Sequence, residues 1–187
     1  MRLKPMHRRI FVVGMPGSGK TTEGKKLASK LAWQFVDLDK KIEQEVGSDI
    51  PNIFAEKGEP FFRELEQKLL LELAQIDNVV IACGGGTVAF HNNMQWIKKS
   101  GFSIYLRAEP KLLLSRILAS KSKRPLFEGL KEAEILEKIK SLLQIRMPFF
   151  EQADCTIALP NEAANLMYSK ALEVFEENET SQKNDQS

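Results

Sequence analysis

The stretch "IFVVGMPGSGKTT", residues 10–22, decides how the rest of the chain is read. Four apolar residues run into Gly14, and residues 14–21 match G-x-x-x-x-G-K-[ST]. That pattern signifies a phosphate-binding loop when it joins a strand to a helix. Both flanks fit, because "IFVVG" (10–14) reads as a buried strand and helical spacing runs from Lys20 to Leu31. Gly14, Gly17 and Gly19 let successive backbone N–H groups turn toward phosphate oxygens. The helix that follows adds the partial positive charge of its N-terminus. Lys20 can reach the β- and γ-phosphates, and Thr21 can ligate Mg²⁺. A glycine-rich turn without a ligand is the plainer alternative, and the agreement of pattern with context argues against it. These residues point to a nucleoside triphosphate.

Working outward, the runs "FVDLD" (35–39), "VVIAC" (79–83), "FSIYL" (102–106) and "CTIAL" (155–159) also read as short strands. Helical spacing covers Glu59 to Gln75, Asn93 to Lys99, Pro110 to Leu118 and Glu132 to Phe150. Short apolar runs alternating with helices predict an α/β fold of three layers, αβα, around a central parallel sheet of about five strands. Residues 40–75 hold several helix-like pieces without a strand, which suggests an inserted helical subdomain. "SKSKRPLFEG" (120–129) is polar, basic and proline-containing, and reads as a mobile loop between helices. The polar end, "EENETSQKNDQS", reads as frayed.

The 187 residues fit one domain with a substantial core. A net charge of +2 is too mild to argue for a nucleic-acid or membrane partner. The basic start, "MRLKPMHRR", is followed by too short an apolar run for a signal peptide, and no later segment reaches membrane-spanning length. Cys83 and Cys155 form neither a metal spacing nor a secreted-type framework, so a reducing cytoplasm is the expected compartment.

Two carboxylates and three arginines stand out beside the phosphate loop. Asp37 and Asp39, two apart at an expected strand end, project from one side of the strand. Ligands of open α/β sheets sit outside the carboxyl ends of the strands. One carboxylate could therefore support a Mg²⁺ shell while the other accepts a proton from an attacking hydroxyl. Asp39 is equally placed to cap a helix beginning near Lys40. In "GEPFFRELEQKLL" (58–70), Arg63 and Glu66 stand at i and i+3, as a surface pair or as an oriented guanidinium able to grip a carboxylate. Arg124 lies in the expected mobile loop, where it could close over transferring phosphates. Arg146 precedes Pro148 near a helix end, where a cation also suits the helix dipole. "IACGGGTV" (81–88) places three glycines at a strand's carboxyl end, either as a loose turn or as bare backbone against which a ligand can press.

Taken in order, "GMPGSGKTT", "FVDLDKKIE", "IFAEKGEPFFRELE", "ACGGGTV", "RPLF" and "RMPFF" resemble the signatures of shikimate kinases, from about Ile10 to Asp154. The resemblance implies a nucleoside-monophosphate-kinase-like fold with a core, a substrate-binding subdomain over about 38–75 and a lid over about 119–130. On that reading residues 1–177 form one kinase domain and 178–187 a disordered tail. It implies transfer of the γ-phosphoryl of ATP to the 3-hydroxyl of shikimate, on the route to chorismate and aromatic amino acids, with Mg²⁺ as cofactor and a monomeric enzyme. Gly14, Gly17, Ser18, Gly19, Lys20, Thr21 and Thr22 then serve ATP, with Arg116 and Pro160 flanking the adenine. Thr21 and Asp37 serve the metal, and Asp39 is the base. Arg63, Arg146 and the Gly84, Gly85 and Gly86 backbone hold shikimate, with Asp39 at the reacting hydroxyl and Arg124 as the lid arginine. A gluconate- or nucleotide-type kinase of the same fold, or a nucleotide-binding module without turnover, are the alternatives. Phe127 and Phe150 depart from the leucine and tyrosine usual in the family, which bears on lid packing and on a hydroxyl role.

Elsewhere the residues read as structural. His7 and His91 fall outside every motif, Cys83 is expected to be buried, and Trp33 and Trp96 are expected in the core. Of the Phe61-Phe62 pair, one ring could wall a substrate beside Arg63.

Overall fold

Five apolar runs become parallel strands: Arg9–Val13 (β1), Gln34–Asp37 (β2), Val79–Ala82 (β3), Phe102–Arg107 (β4) and Cys155–Ala158 (β5). Their order in the sheet is β2-β3-β1-β4-β5. The computed structural model describes residues 8–120, 125–160 and 163–184. β1, β3 and nearly all of β4 are buried, whereas the edge strands β2 and β5 are mostly half-exposed or exposed. That is the burial expected when helices cover both faces of a parallel sheet.

The helices are Lys20–Leu31 (α1), Leu38–Val46 (α2), Ile50–Leu73 (α3), Asn93–Ser100 (α4), Pro110–Ala119 (α5), Glu132–Phe150 (α6) and Ala163–Asn184 (α7). α1 begins where the lysine of the phosphate loop stands and lies close to the sheet at Gly24. A Cβ there would stand 2.8 Å from the Phe35 ring. α2 and α3 follow one another without an intervening strand, which is the helical insertion the sequence suggests. α3 is two helical segments joined at Gly58, whose φ of 78° and ψ of 169° break the ladder. Pro60, two residues on, cannot donate to that ladder, so the break falls where backbone chemistry favours it. The segment from Glu59 is the one periodicity picked out; the preceding turns from Ile50 were legible only as helix-like fragments.

Two boundaries differ from the sequence reading in a way that matters for the site. β2 ends at Asp37, and Asp39 already lies in the first turn of α2. The two carboxylates therefore do not share one side of a single strand, as the sequence reading expected. Asp37, rather than Asp39, is the helix cap, its side chain accepting the Lys40 N–H at 3.3 Å. α7 was not anticipated, and it continues to Asn184, past residue 177.

The core lies between the sheet and its helices. Tyr105 and Phe150 stack within it, ring centroids 4.9 Å apart and planes 11° from parallel. Phe150 thus fills an interior position as an apolar ring. Phe127, ending a short 3-10 turn over Pro125–Phe127, is also buried and pins that segment to the core. Trp33 packs on Phe175 at 5.3 Å, but Trp96 is 48 % exposed, contrary to expectation, because it occupies the solvent face of the short helix α4.

Candidate active site

The sheet register brings the functional loops to one edge. β1 pairs with β3 through Val12 opposite Ala82, and β2 pairs with β3 through Asp37 opposite Ala82. The three strands therefore end together, delivering the phosphate loop, Asp37 and the three glycines to one cleft, as open α/β sheets do at the reversal of strand order.

The phosphate loop is formed by backbone that only glycine adopts readily. Gly14, Gly17 and Gly19 have φ values of 149°, 86° and 91°. A Cβ on Gly14 would also stand 2.8 Å from the carbonyl oxygen of Leu106. Lys20 Nζ donates to the carbonyls of Gly14 (2.8 Å) and Met15 (3.0 Å), so the ammonium sits against the loop's inner rim. Ser18 is wholly buried and its Oγ finds no hydrogen-bond partner among the described residues, whereas Thr22 on the next turn is exposed. Arg116, at the end of α5, donates to the carbonyls of Ser18 (3.0 Å) and Gly17 (3.4 Å). It braces the loop from the β4 side. Pro160 follows β5 on that same side, exposed, and Glu23 of α1 accepts the Ala164 N–H at 3.0 Å, tying the start of α7 to α1. Arg116 and Pro160 thus lie on the flank opposite Asp39.

On the β3 side, Thr21 Oγ1 donates to Asp37 Oδ2 at 2.6 Å. Two hard oxygen donors side by side at the mouth of a phosphate loop fit Mg²⁺, which needs few protein ligands when phosphates and water complete its shell. Among the described residues no cluster of three or more His, Cys, Asp or Glu side chains forms a self-sufficient metal cage. Asp39 lies deeper. Burial, reinforced by the neighbouring Asp37 charge and opposed by Lys20, pushes its carboxyl up to about 6. Burial likewise pushes the Cys83 thiol up, which keeps it protonated and unreactive.

The three glycines serve three different neighbours. A Cβ at Gly84 would stand 2.7 Å from Asp39 Oδ1, 2.9 Å from Thr87 Oγ1 and 3.0 Å from Glu66 Oε1. One at Gly85 would strike the ring of Pro16 in the phosphate loop, at 2.6 and 2.7 Å. One at Gly86 would lie 3.2 Å from Arg63 Nη2 and 3.3 Å from Arg146 Nη2. The run is therefore a close-packed junction between the Asp39 carboxylate, the phosphate loop and the paired arginines, and the loose-turn reading fails.

Arg63 is held from several sides. Its Nε and Nη2 donate to Glu59 Oε1 at 3.1 and 3.0 Å, and its Nη1 donates to Glu66 Oε2 at 2.8 Å. Its guanidinium carbon stands 4.0 Å from the centroid of the Phe90 ring and 5.0 Å from that of Phe62. Phe62 is buried against Phe54, and Phe61 is partly exposed beneath Lys57. Arg146 is only 6 % exposed. It is not the dipole-stabilising cation that its sequence position allowed, because its Nη1 turns inward to the Gly85 carbonyl at 3.0 Å. Among the described residues no carboxylate forms an ion pair with it. Burial, and then the charge of Arg63, lower its pKa.

Arg124 lies outside the described residues. Sequence reasoning missed Glu59, Thr87 and Phe90. Glu59 was within reach, standing four residues before Arg63 on one helix. Thr87 and Phe90 carry no local signal, since only the tertiary fold brings them to α3.

The family model for shikimate kinase matches residues 16–177. Shikimate kinase of Bacteroides fragilis is 42% identical over 146 residues, covering 78% of this chain and 82% of that protein. The crystal structure of shikimate kinase from Bacteroides thetaiotaomicron is similar, with a TM-score of 0.82 at 35% identity, over 90% of this chain and 98% of the other. Shikimate kinase from Acinetobacter baumannii, solved in complex with shikimate, aligns with a TM-score of 0.81 at 35% identity, over 94% of this chain and 96% of the other.

Proposed function

The chain belongs to the shikimate kinase family, and on that footing we propose that its cleft transfers the γ-phosphoryl group of ATP to the 3-hydroxyl of shikimate. The observation that carries this reading is Arg146. A buried guanidinium with no carboxylate partner among the described residues, beside a second guanidinium, calls for an anionic ligand. The carboxylate of shikimate supplies it between Arg146 and Arg63 and leaves the hydroxyl-bearing ring directed along Gly84–Gly86 toward Asp39.

Each residue has a role in the transfer. The amides of the phosphate loop and the N-terminus of α1 hold the phosphates, and Lys20 moves from the loop carbonyls to the β- and γ-oxygens. Arg116 keeps the loop in shape from behind. Asp39, with its carboxyl near 6, is a stronger base than an ordinary aspartate and still ionised at neutral pH. It takes the proton of the 3-hydroxyl as that oxygen bonds to the γ-phosphorus, and the bridging oxygen leaves with ADP. Thr21 and Asp37 would hold Mg²⁺, which when bound neutralises charge on the transferring group. Arg124 is proposed to close over the phosphates, and a single kinase domain over 1–177, acting as a monomer, suits a cleft built from one chain. Among the described residues no helix is long and apolar enough to cross a membrane.

An acceptor panel tests this reading. Release of ADP from ATP is measured with shikimate, gluconate and nucleoside monophosphates, with Mg²⁺ and with excess EDTA. Shikimate alone should support turnover, and chelation should abolish it. Turnover with gluconate or a nucleotide but not shikimate would refute the proposal, and binding of ATP without turnover on any acceptor would favour a non-catalytic module.

A further inference from the structure

We propose that Thr87 and Phe90 are positioning residues for Arg63, so that the turn after the three glycines, and not α3 alone, sets the geometry of the carboxylate clamp. This rests on the reading of Arg63 as a group that holds the carboxylate of shikimate. Glu66 is wholly buried, and its two oxygens are used separately: Oε2 accepts from Arg63 at 2.8 Å and Oε1 from Thr87 Oγ1 at 2.6 Å. An ionised carboxylate only accepts, so the threonine hydroxyl must donate here, in a short charge-assisted bond. Without that donor, Glu66 could turn about its own side-chain bonds and take Arg63 with it.

Phe90 acts on the face of the same guanidinium. With its centroid 4.0 Å from Arg63 Cζ, the ring fixes the tilt that the edge bonds to Glu59 and Glu66 leave open. The turn that carries both residues is itself anchored. Asn93 Nδ2 donates to the Thr87 carbonyl at 3.0 Å, and Gln67 of α3 donates to the His91 carbonyl at 3.0 Å. His91 and Asn92 adopt φ values of 50° and 57°, which bend the backbone back toward α3. Core and substrate-binding helix are thereby joined at the residues that aim the arginine.

The test is steady-state kinetics of Thr87→Val, Thr87→Ser and Phe90→Leu beside the wild type, with thermal unfolding of each. Valine keeps the shape of threonine and removes the donor, leaving a buried carboxylate oxygen unpaired. It should raise the KM for shikimate about tenfold while changing the KM for ATP less than about twofold. Serine restores the hydroxyl and should return the KM to near the wild-type value. Phe90→Leu, at a half-exposed position, should raise the KM for shikimate about threefold. In an Arg63→Lys background, Thr87→Val should add little further loss. Unchanged KM for shikimate in both Thr87→Val and Phe90→Leu overturns the inference. So does an equal loss for both substrates that serine fails to rescue. Absence of wild-type turnover with shikimate overturns the underlying reading as well, so the two failures are told apart by the wild-type control.

Discussion

Alanine at Gly84 is the sharpest perturbation of the cleft. Gly84 is not among the glycines with positive φ, so alanine brings no backbone strain and the effect reduces to one added carbon. That carbon would meet Asp39 Oδ1 at 2.7 Å, Thr87 Oγ1 at 2.9 Å and Glu66 Oε1 at 3.0 Å. To reach ordinary contact at 3.4 Å, the Asp39 carboxylate must retreat by about 0.7 Å. Glu66 is wholly buried and bonded at both oxygens, so Asp39, whose oxygen is the nearest of the three, is the group that yields. Misplacing a reacting group by about 1 Å can cost about a hundredfold in rate, so kcat should fall about ten- to a hundredfold. Stability should change much less. Overpacking costs about 1–3 kcal/mol, and the loss of glycine freedom in the unfolded chain returns about 0.4–1 kcal/mol. For a domain of this size the midpoint should then drop by no more than about 10 °C, at about 2–4 °C per kcal/mol. A coupled assay of ADP release with a thermal melt reads both quantities. Gly85→Ala, aimed at Pro16, should instead raise the KM for ATP, and Gly86→Ala, aimed at two flexible guanidinium ends, should act on the KM for shikimate. A Gly84→Ala enzyme with wild-type kcat would refute the claim that Asp39 and the glycine backbone are in close register.

Other outcomes follow from the same geometry. Arg63→Ala should raise the KM for shikimate about a hundredfold with ATP binding retained, in the range for truncating one partner of a charge-assisted pair, as read by titration of each substrate. Because Asp39 titrates near 6 in the fold and near 3.8 as an ordinary aspartate, the native state binds more protons between those values. Its contribution to stability is therefore greatest at low pH and declines as pH rises through that window. Asp39→Asn should melt higher than the wild type at pH 8 and lose most of that advantage near pH 4, while kcat of the wild type should fall below about pH 6 as the base protonates. Phe127→Ala, which empties a buried site beside the 3-10 turn, should cost about 3–5 kcal/mol in urea unfolding.

Much of this molecule was legible in the sequence, for stated reasons. The phosphate loop declares itself because glycine positions, lysine and threonine are all local, and α1 and α6 fall where periodicity places them. The five strands are short apolar runs bounded by helices, so their number and parallel arrangement follow. What escaped is what local pattern does not encode. The end of β2 depends on Asp37 capping α2, and this moved Asp39 from strand to helix. Taken locally, Arg146 could equally have been a cation suiting the helix dipole, and only tertiary packing shows it buried against Gly85. The glycine run could be read as close approach, but not that each member faces a different partner. Thr87 and Phe90 touch side chains of a helix more than twenty residues earlier in the chain, and no spacing rule reaches that far.

The central claim is that this cleft phosphorylates the 3-hydroxyl of shikimate, and the identity of the product tests it most directly. Purified protein is incubated with ATP, Mg²⁺ and shikimate, and the mixture is followed by ³¹P NMR with proton correlation. The account predicts a new phosphate monoester coupled to the proton on C3 of shikimate, formed in step with ADP. Phosphate appearing only as inorganic phosphate, or on another hydroxyl, would contradict it.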